Sequence, residues 1–567
     1  MAADNAGIAE MLRQYAATLV IEGGDRFKIN AYRRAAATIE TSELDVAQTV
    51  ADGGDLTVLP GVGKGIAATI TEIVKSGHFS RLEKSVAELP PELAELATRP
   101  ALDPKKVQRI YKKLKIAGLA ALRAALESGR IREVLGGPLE FHVRQGLDDR
   151  PRILLPAAER LAEAIETFLR SQTGVEDVAA VGSLRRKEAT IGELDFLVAS
   201  ERAASTTFKA FTKFSAVKTV GPQTKTDAEF VLSSGSVVRL AHCKPHEWGL
   251  ELARRSGAPA HFEALERRAA ERKLKLTGRG LAAKEIEAAD EQAVFAGLGL
   301  KFIEPELREG RGELEAAAAD ALPALVTVDD FRGDLHMHTT ASDGNASILE
   351  MARAAQARGY RYIAITDHSQ SLKFTNGLTE ERLRAHCRAI DEANEQLKDF
   401  RIFKSSEVDI LDDGSLDYSQ EMLAELDFTI CSIHSKFGLN REQQTERILR
   451  AMDNPYFGIL GHATGRLLLR REGYEIDIER IIRHAADVGC FFEINANPHR
   501  LDLSDTHAKL AKEAGILIAV NTDAHGTEEL DNLPYGVNQA RRAWLTADDV
   551  LNTRPAKEVL KLLQRRR

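Results

Sequence analysis

The chain has little cysteine and no long apolar run. Among its 567 residues, four cysteines are scattered without the spacing of a metal site: Cys243, Cys387, Cys431 and Cys490. This usage argues against a disulfide scaffold and predicts reduced, buried thiols. The apolar runs fall short of a membrane span, and the stretch MAADNAGIAEMLRQ lacks the basic and apolar regions of a secretory signal. We therefore expect a cytoplasmic protein with no membrane partner.

Length and charge limit what the rest of the sequence can encode. A chain of 567 residues is expected to form three or four domains, and its hydrophobic content of 44% is ample for their cores. The formal net charge is −8. Any binding to nucleic acid must therefore come from local basic patches and not from the overall field.

Two histidines and an aspartate mark the stretch around which the C-terminal half is organised. In DLHMHTTASDG, which runs from Asp334 to Gly344, His336 and His338 alternate at the end of a short predicted strand. Side chains two residues apart on a strand share a face, so both imidazoles can reach one point. Asp343 follows on the adjoining loop. Nitrogen donors with a nearby carboxylate suit a divalent metal ion.

Six further apolar runs follow, each separated from the next by a helical segment. They are YRYIAITDH, RIFKSSEVDI, LDFTICSIH, YFGILGH, CFFEINANP and ILIAVNTDAH, which makes seven β-α units in all. Metal-type side chains stand at the C-terminal end of nearly every strand, where a parallel β/α barrel builds its active site. Nine residues are therefore expected to converge: His336, His338, Asp343, His368, Glu407, His434, His462, Asp523 and His525. A structural zinc uses four ligands, so this many donors implies about two or three metal ions. For any single member, a hydrogen-bonded side chain at the barrel rim is the alternative.

The first 85 or so residues read as helices that contain a helix-hairpin-helix signature. In LPGVGKGIA, glycines allow a sharp turn, after which the amides of the next helix face outward as an anion site. The expected contacts with DNA phosphate are Gly61, Gly63, Lys64 and Gly65. An ordinary glycine-rich turn is the alternative. Arg33 and Arg34, and the basic run DPKKVQRIYKKLKI, fit either DNA backbone contacts or solvated helix faces.

From residue 151 the pattern changes to helix, strand, loop and strand. Here VGSLRRKEATIGELDFLV resembles the nucleotidyltransferase palm of family X DNA polymerases. The resemblance implies that a Gly-Ser pair and two arginines hold a nucleotide triphosphate: Gly182, Ser183, Arg185 and Arg186. An Asp-x-Asp pair on the next strand and a third aspartate on a later strand would complete such a site. Three carboxylates are needed because two cations must be fixed about 3.5–4 Å apart.

The resemblance extends over the whole chain, to the bacterial form of this family with a C-terminal PHP (polymerase and histidinol phosphatase) domain. HATGRLLLRREGY, EINANPHRLDL and NTDAH look like that domain, and the nine residues fill its metal positions. By resemblance, manganese is the expected metal, with zinc or iron as alternatives. Asp343 and His368 would be catalytic, and Arg466, in the loop after His462, would contact phosphate or else be a surface arginine.

The palm departs from the family pattern at three places. Glu193 replaces the first carboxylate of the pair, although Asp195 is kept. Arg239 stands where a third metal-binding aspartate is expected, and RRSGA (residues 254–258) replaces the Tyr-Phe-Thr-Gly-Ser turn that lines the nucleotide. A fixed positive charge opposes two cations in a poorly solvated site. We expect this palm to be vestigial and its binding of magnesium or manganese to be doubtful.

Together these features predict a multidomain α and α/β protein. The expected parts are a helical domain with the hairpin (1–85), a fingers-like helical domain (86–150), a palm (151–245), a thumb-like region (246–325) and a distorted (β/α)7 PHP barrel (330–567). The expected function is DNA repair by a monomeric metal-dependent 3′-5′ exonuclease acting on gapped, nicked or 3′-damaged DNA. The resemblance adds abasic-site endonuclease and 3′-phosphatase activity. The alternatives are a gap-filling polymerase with a modified metal site, a purely DNA-binding N-terminal half, and a small-ester phosphatase.

Overall fold

The protein is described from a computed structural model that covers residues 5–40, 46–98, 102–147, 151–277, 280–282, 286–287 and 290–564. The N-terminal part is helical, and its ten helices are α1 (Asn5–Glu22), α2 (Arg26–Glu40), α3 (Val46–Ala51), α4 (Lys64–Ser76), α5 (Ser80–Glu88), α6 (Pro91–Thr98), α7 (Pro104–Leu114), α8 (Leu119–Glu127), α9 (Arg130–Leu135) and α10 (Gly137–Gly146). Two separate apolar cores hold these helices, one built mainly from α1 to α5 and the other from α6 to α10. In α7, the Asp103 side chain accepts from the Lys105 amide at the N-terminus, and Lys115 ends the helix with φ of 58°.

The palm contains a five-stranded sheet with helices packed against it and a separate antiparallel sheet of two strands, the first and third in chain order. Its elements in chain order are β1 (Ile153–Leu154), α11 (Leu155–Arg170), β2 (Val175–Ala180), α12 (Gly182–Arg185), β3 (Thr190–Ile191), β4 (Glu193–Ser200), α13 (Ala204–Phe211), β5 (Val217–Gln223), β6 (Asp227–Leu232) and β7 (Val237–Cys243). The strand order is β2-β4-β7-β6-β5, in which β4 and β7 are parallel and the other pairs antiparallel. Asp195 on β4 stands beside Arg239 on β7, and Glu229 on β6 stands on the other side of Arg239.

The region after the palm is smaller and mostly helical. It contains α14 (Trp248–Ser256), α15 (Pro259–Glu271), β8 (Lys275–Thr277), β9 (Gly280–Ala282), β10 (Ile286–Glu287), α16 (Glu291–Gly297) and α17 (Glu313–Ala318). The three strands form an antiparallel sheet of order β10-β9-β8. Its core, which includes Leu265, Phe295 and Ile303, is separate from that of the palm. The domain boundaries named above stay predictions.

The C-terminal part is a barrel of parallel strands alternating with helices. Its elements are β11 (Gly333–Asp334), α18 (Ile348–Ala357), β12 (Tyr362–Ile365), α19 (Glu380–Glu395), β13 (Arg401–Lys404), β14 (Glu407–Asp409), α20 (Gln420–Glu425), β15 (Ile430–Ser432), α21 (Arg441–Met452), β16 (Ile459–Leu460), α22 (Ile478–Val488), β17 (Phe491–Asn495), α23 (Asp505–Glu513), β18 (Ile518–Asn521), α24 (Leu533–Arg542) and α25 (Ala556–Leu563). The strands form parallel ladders β11-β12-β13 and β14 to β18. Parallel bridges between His368 and Glu407 and between Met337 and Ala524 join the two ladders into a closed ring. The predicted multidomain α and α/β fold is confirmed.

One predicted barrel strand is broken in two. The run RIFKSSEVDI forms β13 and β14 with an interruption at Ser405 and Ser406. The Ser405 hydroxyl donates to the carbonyl of Phe428 at 2.9 Å, and the Ser406 hydroxyl donates to that of Asp367 at 2.7 Å. Local side-chain bonds of this kind compete with a regular ladder. As a result β14 begins at Glu407, a residue that faces the barrel mouth.

Candidate metal centre, helical hairpin and palm

Metal-type side chains gather at the C-terminal edge of the barrel strands. His336 and His338 directly follow β11 and are fully buried, and Glu407 is also buried at the start of β14. The other six predicted ligands lie in the loop before α18 or just after β12, β15, β16 and β18: Asp343, His368, His434, His462, Asp523 and His525. The structure therefore places all nine predicted residues at one end of the barrel.

Seven of the nine form three overlapping groups in which the ligand atoms lie within 4.8 Å of one another. The groups are His338 with Asp343, His368 and His525; His336 with His338 and Glu407; and His368 with Glu407 and His434. The remaining two border the same space. His462 Nε2 lies 2.8 Å from Glu407 Oε1, and Asp523 Oδ1 lies 3.1 Å from His338 Nε2. Because the groups share members, they describe adjacent positions, as a multinuclear centre requires.

Two further carboxylates orient the imidazoles. His336 Nδ1 lies 2.7 Å from Glu493 Oε1, and His434 Nδ1 lies 2.7 Å from Asp409 Oδ1. A carboxylate on one ring nitrogen fixes the tautomer and leaves the other nitrogen for a metal. In the part of the chain that is described, buried His338 Nδ1 has no hydrogen-bond partner. These donors fit a centre of divalent metal ions.

The sequence held a signal for both orienting carboxylates that the metal-site prediction did not use. Glu493 ends the apolar run FFE within a predicted strand, and Asp409 is two residues beyond Glu407 on the same strand. Alternate residues of a strand share a face. A carboxylate at the end of a strand, on the same face as a predicted ligand, is therefore the sequence pattern that predicts an orienting carboxylate.

Carboxylates and imidazoles in the centre shift one another's pKa. Burial alone would lower the pKa of His368, but nearby carboxylates, chiefly that of Glu407, raise it to about 10. Burial would raise the pKa of Glu407, yet the surrounding histidines hold it well below its ordinary value. Burial and neighbouring imidazole charges lower the pKa of His338 to about 4. The centre thus combines anionic carboxylates with a neutral His338, and bound metal ions would replace the proton that the carboxylates hold on His368.

Arg466 does not point at the predicted ligands. Its Nε donates to the carbonyl of Arg500 at 2.9 Å, and its Nη2 donates to the carbonyl of Leu501. It therefore stabilises the backbone of the loop that follows β17. Arg500 reaches the centre instead, with Nε 3.4 Å from Asp523 Oδ2. The prediction from sequence missed Arg500, although it stands in the quoted stretch EINANPHRLDL.

The hairpin at the N-terminus has the geometry expected of a phosphate-binding turn. Gly61 has φ of 80°, a conformation that L side chains adopt at a cost. Gly63 caps α4, and Lys64 begins it with an exposed side chain. A Cβ added at Gly63 or Gly65 would meet no described atom within 4 Å. The turn therefore presents its backbone to solvent, where a phosphate can approach the helix N-terminus.

The predicted triphosphate-binding arginines of the palm are already paired with carboxylates. Arg185 Nη1 lies 2.9 Å from Glu291 Oε1, and Arg186 Nε lies 2.9 Å from Glu309 Oε1. Both carboxylates come from the region that follows the palm. Gly182, with φ of 63°, allows close packing, since a Cβ there would lie 2.8 Å from Asp195 Oδ2. Ser183 is half-buried on the same short helix.

Arg239 lies between two carboxylates at the place of the expected metal site. Its Nη2 donates to Glu193 Oε1 at 2.7 Å, and its Nε lies 3.5 Å from Glu229 Oε2. Burial raises the pKa of Asp195 to about 6, although Arg239 opposes the shift. The guanidinium thus supplies the positive charge that a metal would supply to these acids.

Arg255, from the stretch that replaces the nucleotide-lining turn, neutralises another palm carboxylate. Its Nη1 lies 2.9 Å from Asp227 Oδ1, and its Nε lies 2.9 Å from Glu251 Oε2. Asp227 and Glu229 are the acids that could otherwise take the place of the missing aspartate. Each forms an ion pair with an arginine, Asp227 with Arg255 and Glu229 with Arg239.

Known protein families and individual proteins match parts or all of this chain. Three family models match: a helix-hairpin-helix domain over residues 3–79, a DNA polymerase beta thumb over 251–309 and a PHP domain over 334–497. The DNA polymerase/3′-5′ exonuclease PolX of Bacillus subtilis (strain 168) is 35% identical over 572 aligned residues, which cover 98% of this chain and 99% of that protein. The chain belongs to the bacterial family X DNA polymerases with a PHP domain. The predicted family is confirmed.

The PHP domain of this family X member also resembles free-standing proteins. A probable phosphatase of Thermoanaerobacter sp. (strain X514) is 32% identical over 232 residues, covering 39% of this chain and 89% of that protein. A probable phosphatase of Acetivibrio thermocellus is 30% identical over 233 residues, covering 39% and 91%. Among the described residues of this family X chain, no helix is both long and apolar enough to span a membrane.

Proposed function

We propose that the chain is a metal-dependent 3′-5′ DNA exonuclease that acts in DNA repair through its PHP barrel. Abasic-site endonuclease and 3′-phosphatase activities belong to the same proposal, since each cleaves a phosphoester at a DNA lesion or end. Manganese is the expected metal, with zinc and iron as alternatives. The expected partner is DNA with gaps, nicks or damaged 3′ ends, bound by a monomer.

The three overlapping donor groups at the barrel mouth are the observation that supports this proposal most strongly. Two or more bound metals supply an activated water and stabilise the entering and leaving oxygens in phosphoester hydrolysis. The carboxylates of Glu407 and Asp523 are buried and anionic, so they would hold the cations. Asp343 is the more exposed acid, with Oδ2 3.5 Å from His368 Nε2 and 3.6 Å from His525 Nε2.

These positions support the roles proposed for Asp343 and His368. Asp343 lies at the more open side of the centre, where a scissile phosphate would enter, and the buried His368 lies 3.5 Å from it. Burial opposes the shift, but the His368 and His525 hydrogen bonds hold the pKa of Asp343 well below its ordinary value. It is therefore an anionic ligand at neutral pH. Arg500 would meet phosphate oxygens at the rim, and Arg466 would hold Arg500 in position.

DNA is favoured over a small phosphate ester because the chain carries a hairpin suited to DNA backbone. The exposed amides before α4 and the Lys64 side chain form a phosphate site that is separate from the barrel. Such contacts bind backbone without reading sequence. A metabolic phosphatase has no use for this anchor.

Loss of nucleotidyl transfer is the second part of the proposal. Glu193, Asp195 and Glu229 are three acids around one spot, but Arg239 forms ion pairs with two of them. A cation could enter only by displacing a guanidinium that is covalently fixed there. Arg185 and Arg186, the arginines expected to bind triphosphate, also form ion pairs, with Glu291 and Glu309 respectively.

A gap-filling polymerase with a modified site is the second candidate. One observation favours it: a cavity of about 410 Å³ remains beside Asp195, Glu229 and Arg239. A nucleotide could bind there. Turnover would require a metal bound beside Asp195, whereas the Arg239 guanidinium already forms ion pairs with Glu193 and Glu229 there.

A metal-by-substrate screen of the purified full chain tests the proposed function. The substrates are 5′-labelled single-stranded, nicked, gapped, abasic and 3′-phosphorylated DNA, each with manganese, zinc, iron or magnesium. We expect stepwise shortening from the 3′ end with manganese, and its loss in His336→Ala and Asp523→Ala. Cleavage of p-nitrophenyl phosphate but of no DNA substrate would contradict the proposal and favour the small-ester phosphatase.

A further inference from the structure

A run of positive charges leads away from the metal centre. Arg500 Nε lies 3.4 Å from Asp523 Oδ2 at the centre itself. Arg471 is close enough to Arg500 for their charges to interact, which helps lower the pKa of Arg471 after burial. Arg470 Nη2 lies 3.4 Å from His499 Nε2, on the residue next to Arg500. These three arginines belong to two loops that lie side by side.

The two loops are held together by their backbones. Between the loops, the Leu468 amide donates to the His499 carbonyl at 2.6 Å, and Arg466 Nε donates to the Arg500 carbonyl at 2.9 Å. Within the first loop, Arg471 Nη2 donates to the Gly465 carbonyl at 2.7 Å. The Arg471 guanidinium also stands 4.3 Å from the centre of the Phe437 ring. A cation stacked on a ring and bonded to a carbonyl loses little further freedom when it binds a phosphate.

Helix α7 of the N-terminal part continues the run. Lys106 is half-buried, and burial lowers its pKa, with a further contribution from the charge of Arg470. The helical part and the barrel loop also face each other across a cavity of about 480 Å³. It is lined by Arg132 and Gly137 on one side and by Arg471, Glu472 and Glu475 on the other. Two regions far apart in sequence thus share one surface, on which Glu472 pairs with Arg132 at 3.9 Å while Lys106 lies close enough to Arg470 for their charges to interact.

These cations have few acidic partners. Arg500 lies 3.4 Å from Asp523. In the described residues, no ion pair within 4.0 Å joins a carboxylate to Lys106, Arg470 or Arg471. Several buried arginines elsewhere pair with a carboxylate, as Arg186 does with Glu309. The chain carries a formal net charge of −8, so unpaired cations side by side are not a consequence of a shortage of acids. Neighbouring like charges repel, and a polyanion would relieve that repulsion.

We propose that the barrel loop 465–473, Arg500 and helix α7 form a track for the phosphates of a single DNA strand whose 3′ end lies in the metal centre. This inference rests on the proposed exonuclease function. In this arrangement the helical part contributes to substrate binding at the barrel, apart from the hairpin at Gly61–Gly65. On α7, Lys106, Arg109 and Lys113 follow one another at helical spacing and would contact the strand farther from the cut.

The test compares a long and a short substrate in the full-length enzyme with manganese. The long substrate is a 5′-labelled single-stranded oligonucleotide of about twelve thymidines, and the short one is the p-nitrophenyl ester of thymidine 5′-monophosphate, which reaches only the metal centre. The variants are Lys106→Glu, Arg470→Glu and the double variant. The matched control is Arg388→Glu, an exposed arginine on helix α19.

For each single variant we expect kcat/KM to fall about tenfold on the oligonucleotide and to stay within twofold on the short ester. Neutralising variants (Lys106→Ala, Arg470→Ala) should each reduce the slope of log affinity against log salt by about 0.7, the value for one lost phosphate contact on a single strand. Oligonucleotide kinetics within twofold of wild type in the double variant would overturn the track. An equal fall on both substrates would overturn it too, because the loop would then only support the centre.

Binding of the same oligonucleotide, measured by fluorescence anisotropy with calcium in place of manganese, separates this inference from the proposed function. If the wild type cleaves neither substrate, the proposed function fails, and the track stands or falls on binding alone. A loss of about tenfold in affinity in Lys106→Glu and Arg470→Glu, but not in Arg388→Glu, supports it. Equal affinity in all three variants and the wild type contradicts it.

Discussion

At the scale of single residues, Arg239 and Asp195 show how the palm has changed its electrostatics. The two stand side by side on parallel strands, and Arg239 is shared between Glu193 and Glu229. Burial raises the pKa of Asp195 to about 6. An unfolded aspartate has a lower pKa, so the folded state holds this proton more tightly. The resulting stabilisation is present at acid pH and is lost as the pH rises through about 6.

Replacement of this acid should therefore stabilise the protein in a pH-dependent way. We expect Asp195→Asn to raise the free energy of unfolding by about 1 kcal/mol more at pH 7.5 than at pH 5, because the wild type carries the buried charge only at the higher pH. Thermal unfolding of both proteins at the two pH values measures this difference. We expect the gain in Tm to be about 2–4 °C larger at pH 7.5 than at pH 5. The control is Asp177→Asn, an exposed site on the same sheet. A stabilisation equal at both pH values would contradict the assignment.

The metal centre leads to a second prediction for single residues. Metal analysis of manganese-loaded wild type should find more than one ion per chain, and His336→Ala or Asp523→Ala should lower that number sharply. Glu493→Gln removes an orienting carboxylate and no predicted ligand, so we expect affinity to fall by about 10–100-fold at unchanged stoichiometry. His484→Ala, on the outer helix α22, is the control. One ion or none in carefully loaded wild type would contradict the multinuclear centre.

The sequence predicted the residues of the metal centre better than the arginines around it. Most of the predicted ligands directly follow a local apolar run, so the position of the strand fixes where they point. Arg466 and Arg500 have long side chains on loops, and the path of the chain decides which one reaches the centre. For the same reason the ion pairs of Arg185 and Arg186 with Glu291 and Glu309, over 100 residues away, left no local pattern to find.

At the scale of elements, the hairpin before α4 is the part whose geometry makes the sharpest prediction. Lys64→Glu should weaken DNA binding by reversing a phosphate-directed charge, and Gly63→Val should do so by blocking the approach to the backbone. Gly63 has φ of −82° and no described atom within 4 Å of an added Cβ, so valine is accommodated without strain. Anisotropy with duplexes of different sequence should show the same loss for each, since phosphate contacts carry no base information.

Gly61→Val provides the contrast within this hairpin. Its φ of 80° makes any L side chain strained, at about 1–2 kcal/mol. This variant should lose stability in the helical part as well as affinity, whereas Gly63→Val should lose affinity alone. Unchanged affinity in Lys64→Glu and Gly63→Val at moderate salt would show that the hairpin is only structural.

Elements of the barrel were largely predictable, with one exception. Seven apolar runs bounded by polar segments gave seven β-α units, because parallel strands buried on both faces are apolar throughout. The split of RIFKSSEVDI into β13 and β14 was not predicted. It depends on what the hydroxyls of Ser405 and Ser406 reach across the barrel, and the run itself looks continuous.

At the scale of the whole molecule, Arg542 joins the barrel to the parts before it. This buried guanidinium donates to the Arg186 carbonyl at 2.8 Å, to Glu309 at 2.9 Å and to Asp505 at 2.9 Å. Arg311 reaches the same Asp505 at 2.9 Å. The arginine therefore ties the palm, the region after it and the barrel at one point.

Removal of this contact should uncouple the unfolding of these parts. We expect Arg542→Met to cost about 3 kcal/mol, the low end for a broken buried ion pair, because Arg186 and Arg311 still contact the carboxylates left behind. Differential scanning calorimetry should show the barrel and palm transitions moving apart. Arg542→Lys keeps the positive charge but loses the several N–H donors of the guanidinium. Its loss of stability should therefore lie between zero and that of Arg542→Met. A calorimetric profile identical to that of the wild type would contradict the coupling.

As a whole molecule, we propose, this family X member shortens DNA through its barrel and does not extend it through its palm. One reaction tests it: the full chain with a 5′-labelled primer on a longer template, all four deoxynucleoside triphosphates and manganese. We predict products shorter than the primer, none longer, and no shortening in His336→Ala or Asp523→Ala. Template-dependent extension by the wild type, abolished in Asp195→Ala, would contradict the account and show that the palm still works despite Arg239.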